Sequence, residues 1–592
     1  MISFKNKYHR STVLTCCSVS AVLMGLAVLS SCSDWDDHYE ANKSATSTQG
    51  ETLLQNIEKN GQLTQFADLL KKTGYDKNLA ASQTFTVWAP KDGSFDYNKL
   101  QGYDSERLQR EFVENHIARN NYPASGAFDM DVYMLNEKRM HFGGTTSYDI
   151  QGVKLTDPNL SSSNGVMHLI DGQITYLSNI YESLNNYDEY KLDSISKFIH
   201  SFDEKEIDEE KSERGPVVDG QQTYLDTVYN ERNEMLEYIY GVKINSEDSS
   251  YTMVVPTNDA WNKALDSIYT YVNYLPEFDF VSDLEKKTTE RIKLKDAEAM
   301  KDSVAKVYML GGLFFNNNLY DNKKLKNADD AASLGADSLV STTGFKMYAE
   351  DATSLLTGAK RVNKSNGAIW VTDTLRMPTW TAWNPEIRLE AEFSTYWAGY
   401  AKVNNQPNVV HITQQNEEVA GSISRNYYIE VEPESRTVNP EMYFYLPEVR
   451  STEYSIYVVF VPGNIASKHF QDPLKKNRLE CTIGFADETG KTKEVVFKDI
   501  ETNVDSVKTA DGMTAKIDTC YIGDVTFPVS YLGMSSLSEI YAPYMKLRSR
   551  VASNQTALYD RWMRIDCIIL RPKKMDAYLK EHPDYKYDKG LY

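Results

Sequence analysis

A strand that runs into proline and then into a polar stretch carrying an aromatic residue occurs twice in this chain. This repeat limits the fold more than any other feature. The first copy is Thr84-Phe85-Thr86-Val87-Trp88-Ala89-Pro90-Lys91-Asp92-Gly93-Ser94-Phe95, and the second is Ser250-Tyr251-Thr252-Met253-Val254-Val255-Pro256-Thr257-Asn258-Asp259-Ala260-Trp261. Proline ends each strand because it has no N–H for the ladder, and in the first copy Asp92 or Ser94 can cap the segment after the strand. Each copy then carries a second motif: Ser163-Asn164-Gly165 ahead of the apolar run from Val166 to Ile170, and Ser365-Asn366-Gly367 ahead of Ala368 to Val371. Asn-Gly is a turn dipeptide, and the apolar run after it reads as a strand. Two motifs repeated in the same order are an internal duplication. The interval from Pro to Asn is 74 positions in the first copy and 110 in the second, so copy two is 36 longer. The extra length is expected in 273–306 and 316–336. Leu53, Leu54, Ile57, Leu63, Phe66, Leu69 and Leu70 fall at helical spacing, and 112–117 predicts another helical segment. The run 203–211 is expected to be a solvated helix or loop, since it lacks the glycine and spacing of an EF-hand.

These motifs resemble the fasciclin domain, which carries F-x-P-T-N-x-A-F near its start and N-G-x-x-H-x-I-D near its end. Copy one departs from the first motif at Trp88-Ala89-Pro90-Lys91-Asp92 and follows the second through His168 and Asp171. Copy two follows the first through Pro256-Thr257-Asn258-Asp259-Ala260-Trp261 and has Trp370 near where the family has His. The family's central Tyr-His pair falls at Asn115-His116 in copy one and near Tyr308-Met309 in copy two. The resemblance spans roughly 51–375 and implies two tandem α+β units. It also implies a role in adhesion, which the incomplete Tyr-His pair weighs against.

At the N-terminus, Lys5, Lys7 and Arg10 precede an apolar run that ends in Leu29-Ser30-Ser31-Cys32. A basic start, an apolar middle and small residues at the end form a secretory signal, and the apolar run is short of the about 20 residues a spanning helix needs. Leu29-Ser30-Ser31-Cys32 resembles the bacterial lipobox, which implies that Cys32 is acylated and becomes the new N-terminus. Ser33, Asp34, Trp35, Asp36 and Asp37 resemble the surface-export signal of Bacteroidota lipoproteins. The expected division is a signal peptide at 1–31, a lipidated tether at 32–50, fasciclin-like units at 51–180 and 181–376, and a C-terminal domain at 377–592.

From Met377 onward, short β-rich runs alternate with polar turns, the pattern of an antiparallel β-sandwich. A galactose-binding-like jelly roll and another β-sandwich both fit. Trp380, Trp383, Tyr396, Trp397 and Tyr400 cluster at the entrance to this domain. They could stack on sugar rings, or they could pack the seam against the second fasciclin-like unit, and packing is the commoner fate of such rings. Tyr541, Tyr544 and Trp562 invite the same two readings.

The net charge of −20 argues against binding a phosphate backbone, so no nucleic acid is expected. Once the signal is removed, Cys481, Cys520 and Cys567 remain besides Cys32. They lie in apolar runs and are expected to be buried, with one disulfide open. No zinc-ligand spacing, H-E-x-x-H or G-x-S-x-G occurs. Residues 484–492 miss the P-loop spacing and read as a hairpin turn through Glu488-Thr489-Gly490. His168 is expected to be a hydrogen-bonded core histidine. No catalytic residue, metal or cofactor is therefore expected.

Together these features describe a non-catalytic lipoprotein, anchored in the outer membrane by its N-terminal lipid and facing the exterior. Lipoproteins of this kind resemble those accompanying SusC/SusD-type importers. That implies importer proteins as partners and a polysaccharide or oligosaccharide as ligand. A fasciclin-type adhesin is the alternative, and a hydrolase in the sandwich a more distant one.

Overall fold

The apolar spacing near the N-terminus does form helices. The computed structural model describes residues 50–592 apart from 82, 186–189, 208, 210–212, 219–220, 227–228, 285–287, 398–401, 404–405, 408, 415–420, 466–468, 470, 472, 505, 510–511, 535–542 and 590–592. Cys32, the residues from Ser33 to Asp37, Tyr400 and Tyr541 lie outside the described residues. Helices α1 (Leu53–Lys59) and α2 (Thr64–Thr73) bury Leu53, Ile57, Phe66, Leu69 and Leu70. α1 opens with a capping box from Thr52 and Gln55. α2 has no cap of its own. Asp92 supplies it from 28 residues away, its carboxylate accepting from Thr64 N at 3.1 Å and Gln65 N at 2.9 Å. Asp92 thus caps the helix before its strand rather than one after it, because the end of the strand returns to Gln62, whose carbonyl accepts Asp92 N–H at 2.8 Å.

The first unit is a seven-stranded sheet. Its strands are β1 (Phe85–Pro90), β2 (Ile117–Arg119), β3 (Phe128–Tyr133), β4 (Arg139–Gly144), β5 (Tyr148–Ile150), β6 (Val153–Ser162) and β7 (Gly165–Ile170), in the order β2-β1-β7-β6-β5-β4-β3. β1 and β7, the two motif strands, pair in parallel. The second unit repeats this. α3 (Asp193–His200) precedes β8 (Tyr251–Pro256), and α4 (Asn258–Tyr269) comes after it. The hairpin β9 (Glu277–Asp283) and β10 (Thr288–Lys293) leads to α5 (Ala297–Gly311), β11 (Phe314–Asn316), β12 (Lys360–Lys364) and β13 (Gly367–Thr372). The sheet order is β11-β8-β13-β12, again with the motif strands β8 and β13 parallel. The β9–β10 hairpin lies within the first stretch expected to hold extra length.

One device locks both parallel pairs. The Asn164 side chain accepts from Leu53 N (2.7 Å) and donates to the carbonyls of Leu79 (2.8 Å) and Ala81 (2.7 Å). Asn366 accepts from Ile180 N (3.0 Å) and donates to Ile244 O (2.7 Å) and Ser246 O (3.1 Å). The next residue, glycine, opens the strand instead of completing the turn, which is Ser-Asn in both copies. A Cβ on Gly165 would lie 1.9 Å from Phe85 O, and one on Gly367 would lie 1.8 Å from Tyr251 O. Their φ values of +148° and +142° exclude a side chain as well.

The acidic run is not a helix or loop at its start. Asp203–Ile207 is a strand paired with Tyr229–Asn233, with Glu204 opposite Arg232 in the register. Opposite charges facing each other across the ladder favour the extended form. Position 208 and residues 210–212 lie outside the described residues.

From 387 the chain forms two antiparallel sheets. One contains β14 (Ile387–Glu390), β15 (Val409–Gln414), β16 (Tyr427–Glu432), β18 (Glu453–Phe460), β21 (Asp518–Thr526) and β23 (Met563–Pro572). The other has the order β17 (Glu441–Tyr445), β22 (Tyr544–Ser549), β19 (Lys476–Ala486), β20 (Thr492–Glu501). Alternate residues face inward. Ile429, Val431, Ile456, Val458, Ile565 and Leu570 meet Met442, Phe444, Leu479, Ile483, Met545 and Leu547 in one core. The sheets approach closely enough that a Cβ on Gly523 would strike the Phe497 ring. Cys481, Cys520 and Cys567 are buried free thiols, and burial raises their pKa values, that of Cys520 to about 12. The 487–491 turn joins β19 to β20, with Asp487 accepting from Thr489 N and Lys491 N and Gly490 at φ +77°.

The three parts are joined in two ways. The first unit touches the second through Lys138, whose side chain is 2% exposed. Its ammonium reaches Glu247 Oε1 at 2.6 Å, Glu182 Oε2 at 2.7 Å and Ser365 Oγ at 3.4 Å. The second unit and the sandwich instead share one continuous apolar core, which runs from Ile180 to Leu570. Backbone pairs at this seam link Ser451 N to Tyr271 O (2.9 Å), Ser530 N to Asn273 O (2.7 Å) and Asp279 N to Gly490 O (2.6 Å). Tyr274 OH donates to Leu532 O at 2.6 Å, and Phe278 packs edge-on against Tyr531.

Candidate functional site

The aromatic residues singled out at the start of the C-terminal domain do not share one face. Trp380 packs on Tyr578, and its Nε1–H donates to Tyr585 OH at 3.2 Å. Tyr585 in turn donates to Asp351 of the second unit at 2.6 Å. Trp383 is buried, and its carbonyl accepts from Arg450 Nε at 3.2 Å. Trp397 donates to Ala391 O at 2.8 Å and bridges to Phe444, while Tyr396 lies beside Phe393. The described members of the cluster therefore line the seam and the sandwich edge, Trp380 and Trp397 held by their own N–H bonds and Trp383 by burial. Trp562 is half-buried and stacks on the imidazoles of His411 (6.2 Å) and His469 (5.1 Å).

A different aromatic surface does face outward. In β17, Met442 and Phe444 point into the core, which turns Glu441, Tyr443 and Tyr445 to the outer side of the sheet. In β22, Met545 and Leu547 point in and Tyr544, Lys546 and Arg548 point out. Register sets these in rows, with Tyr445 beside Tyr544, Tyr443 beside Lys546, and Glu441 beside Arg548. On its other side Lys546 faces Thr482. The Lys546 ammonium lies 5.8 Å from the centre of the Tyr443 ring, within cation–π range. Arg548 pairs with Glu441 at 3.0 Å, and Tyr443 OH donates to the same carboxylate at 3.2 Å. The Tyr544 ring lies across Gly484, where any side chain would collide with it, and its OH donates to Glu494. Partial burial, with Glu441 beside Tyr443, raises the phenol pKa values of Tyr443 and Tyr445, which keeps both neutral donors. Half-buried tyrosines beside an ammonium and paired carboxylates can grip a polymer that has an apolar side and polar edges. The strict alternation of Glu441-Met442-Tyr443-Phe444-Tyr445 is the sequence signal that marks this face. Of its residues, the sequence reading singles out only Tyr544.

On the other sheet, Glu390, Glu392 and Asp566 are neighbours. Ser424 joins two of them, its Oγ–H donating to Glu390 at 2.6 Å and its N–H to Asp566 at 3.0 Å. One oxygen of Glu390 and both of Glu392 are buried without hydrogen-bond partners among the described residues. Burial, helped by the neighbouring carboxylates, lifts the pKa values of Glu392 and Asp566 to about 7. Among the described residues no three His, Cys, Asp or Glu side chains stand at metal-ligating geometry. Chemically this trio can hold protons near neutral pH.

The first unit's histidines are core residues. His168 accepts from Asn159 N at 3.1 Å and donates to Tyr122 O at 2.9 Å. His116 donates to Phe112 O at 2.7 Å and accepts from Ile174 N at 2.9 Å. Burial lowers both pKa values to about 4. In β8 and β13 the place of the Trp88–His168 pair is taken by Val254 and Trp370, so the large indole changes strands.

Comparison with known proteins places a Fasciclin domain at residues 61–175. No curated protein matches the chain. Among solved structures, a fasciclin domain pair from the insect cell adhesion molecule fasciclin I aligns at 12% identity, covering 55% of this chain and 99% of its own, with a TM-score of 0.19. The C-terminal family 22 carbohydrate-binding module of Clostridium thermocellum Xyn10B aligns at 13% identity over 32% of this chain and 93% of its own, with a TM-score of 0.18. An α-L-fucosidase from Vibrio sp. strain EJY3 aligns at 13% identity over 32% of this chain and 36% of its own, with a TM-score of 0.13.

Proposed function

We propose that this chain is a non-catalytic binding subunit, held at the outer-membrane surface by lipid on Cys32, that captures a glycan on the outer face of the β17–β22–β19–β20 sheet. The observation that carries this reading is the row of Tyr443, Tyr445 and Lys546 on that face. A fasciclin domain at 61–175 is consistent with binding or adhesion. The repeated parallel pair and Asn staple support a second fasciclin unit over 181–376. The two antiparallel sheets support a galactose-binding-like reading of the C-terminal domain. Anchoring by lipid would hold the face close to its polymer and raise the effective concentration. A SusC/SusD-type importer is the partner this arrangement would serve.

Affinity electrophoresis of the whole ectodomain through glycan-containing gels tests the reading. The protein should be retarded, and Tyr443→Ala with Tyr445→Ala should abolish the retardation. Unchanged mobility of the wild-type chain across neutral and acidic glycans would sink the proposal. Co-purification of the native lipoprotein with a TonB-dependent transporter tests the importer association. The fasciclin domain itself favours the second reading, adhesion, which cell-binding assays on the ectodomain would reveal.

A further inference from the structure

The outer face carries a charge pattern that narrows its ligand. Two of its carboxylates are already matched, Glu441 by Arg548 and Glu480 by Arg550 at 3.8 Å, and Glu494 accepts from Tyr544 OH. Lys546 has no carboxylate partner among the described residues; its ammonium rests against the Tyr443 ring. Lys498, exposed on the edge strand β20 on the far side of β19, has no ion-pair partner among the described residues either. A chain of net charge −20 thus presents two lysines on this face, Lys546 and Lys498, alongside the hydrogen-bonded carboxylate of Glu494.

We infer that the face takes a polysaccharide built from uronic acid units, with a sugar ring on Tyr443 and its carboxylate on Lys546. This rests on the glycan-binding reading above. A hexuronate has an apolar C–H side that suits a phenol ring, and its carboxylate projects from the ring edge. The Lys546 ammonium lies over that ring, 5.8 Å from its centre; on its flexible four-carbon stem it would swing aside for a sugar stacked there and meet the sugar's carboxylate. Lys498 would meet the charge of a neighbouring unit. Ion pairs formed on such a half-exposed face are screened by salt, so binding should be strong at low ionic strength and fall as salt rises.

The test uses the whole ectodomain, because the sandwich shares its core with the second unit. Binding to polygalacturonate is compared by calorimetry with binding to the same polymer fully methyl-esterified, which keeps the backbone and removes the charge. Retention of polygalacturonate and loss of the ester are expected. Lys546→Met should weaken binding by about tenfold and flatten its salt dependence, with Lys498→Met a smaller effect. Unchanged thermal melting of both variants would show that the fold is intact. Equal binding of acid and ester, indifferent to Lys546→Met, would overturn the uronate assignment and leave the glycan-binding reading standing. Binding of sulfated dextran alone would also overturn it. Failure of every polymer, neutral or acidic, would overturn both.

Discussion

The joint between the first and second units and the joint between the second unit and the sandwich use opposite chemistry. The first is a buried lysine between two carboxylates. The second is a shared apolar core sealed by backbone hydrogen bonds. Charge that is taken out of water contributes geometry more readily than stability, because desolvation offsets much of the attraction. Apolar burial contributes stability directly, at about 25 cal/mol per Å². The chain therefore divides into an N-terminal unit that should unfold by itself and a C-terminal body that should unfold as one piece.

The glycine at the start of each repeat's last strand offers the most severe way to test that division. Gly165→Ala and Gly367→Ala each force a Cβ onto a carbonyl oxygen and should cost about 3 kcal/mol or more. In calorimetry, Gly165→Ala should lower only the transition of the first unit. Gly367→Ala should lower a transition that includes the sandwich. If the sandwich melts at its original temperature in Gly367→Ala, the shared core does not couple the two.

Acid and base should separate the same two bodies in opposite directions. His116 and His168 titrate at about 4 in the folded first unit, against an ordinary value near 6.5. The unfolded chain then binds more protons below 6.5, so this unit's stability is full above 6.5 and lost as pH falls towards 4, by about 3 kcal/mol for each histidine. In the sandwich, Glu392 and Asp566 titrate at about 7, above the ordinary carboxylate range. There the folded state holds the extra protons, so their contribution is greatest below pH 4 and is lost as pH rises through 7. Melting followed from pH 4 to pH 8 should show the first unit gaining stability while these carboxylates act against the body. Parallel pH responses would contradict the assignment of the two sets.

Lys138→Met attacks the polar joint alone. It leaves Glu247 and Glu182 facing each other without their cation and should cost about 3 kcal/mol, felt at the joint. Small-angle scattering should show the ectodomain longer on average, while the melting of the C-terminal body stays where it was. Lys138→Met combined with Glu247→Gln should recover part of the loss.

These joints also mark the limits of what the sequence disclosed. The repeat was legible because Pro90, Asn164, Pro256 and Asn366 are local signals fixed by backbone geometry. Even so, the atom that Gly165 avoids is a carbonyl 80 residues away, and the cap of α2 comes from Asp92 across a strand. Neither pairing has a local trace. The strand at Asp203–Ile207 was hidden because its conformation is decided by its pairing with Tyr229–Asn233, more than twenty residues on. The aromatic cluster from Trp380 to Trp397 was legible as a cluster, but composition does not say which way a ring points. The alternation from Glu441 to Tyr445 does say so, once the strand is known to lie in a sheet with one buried face.

The finest test of the comparison is Tyr274→Phe. It removes one hydroxyl from the apolar seam and leaves Leu532 O without that donor, a loss of about 1 kcal/mol. Because the ring stays and the core around it is unchanged, the second unit and the sandwich should still melt together, a few degrees lower. At the polar joint the carboxylates keep other donors, Glu182 accepting from Tyr176 OH at 3.0 Å and Glu247 from Ser365 Oγ at 3.1 Å. If Tyr274→Phe instead splits the C-terminal transition in two, the seam is held by its hydrogen bonds rather than by its apolar contacts, and the two joints are alike after all.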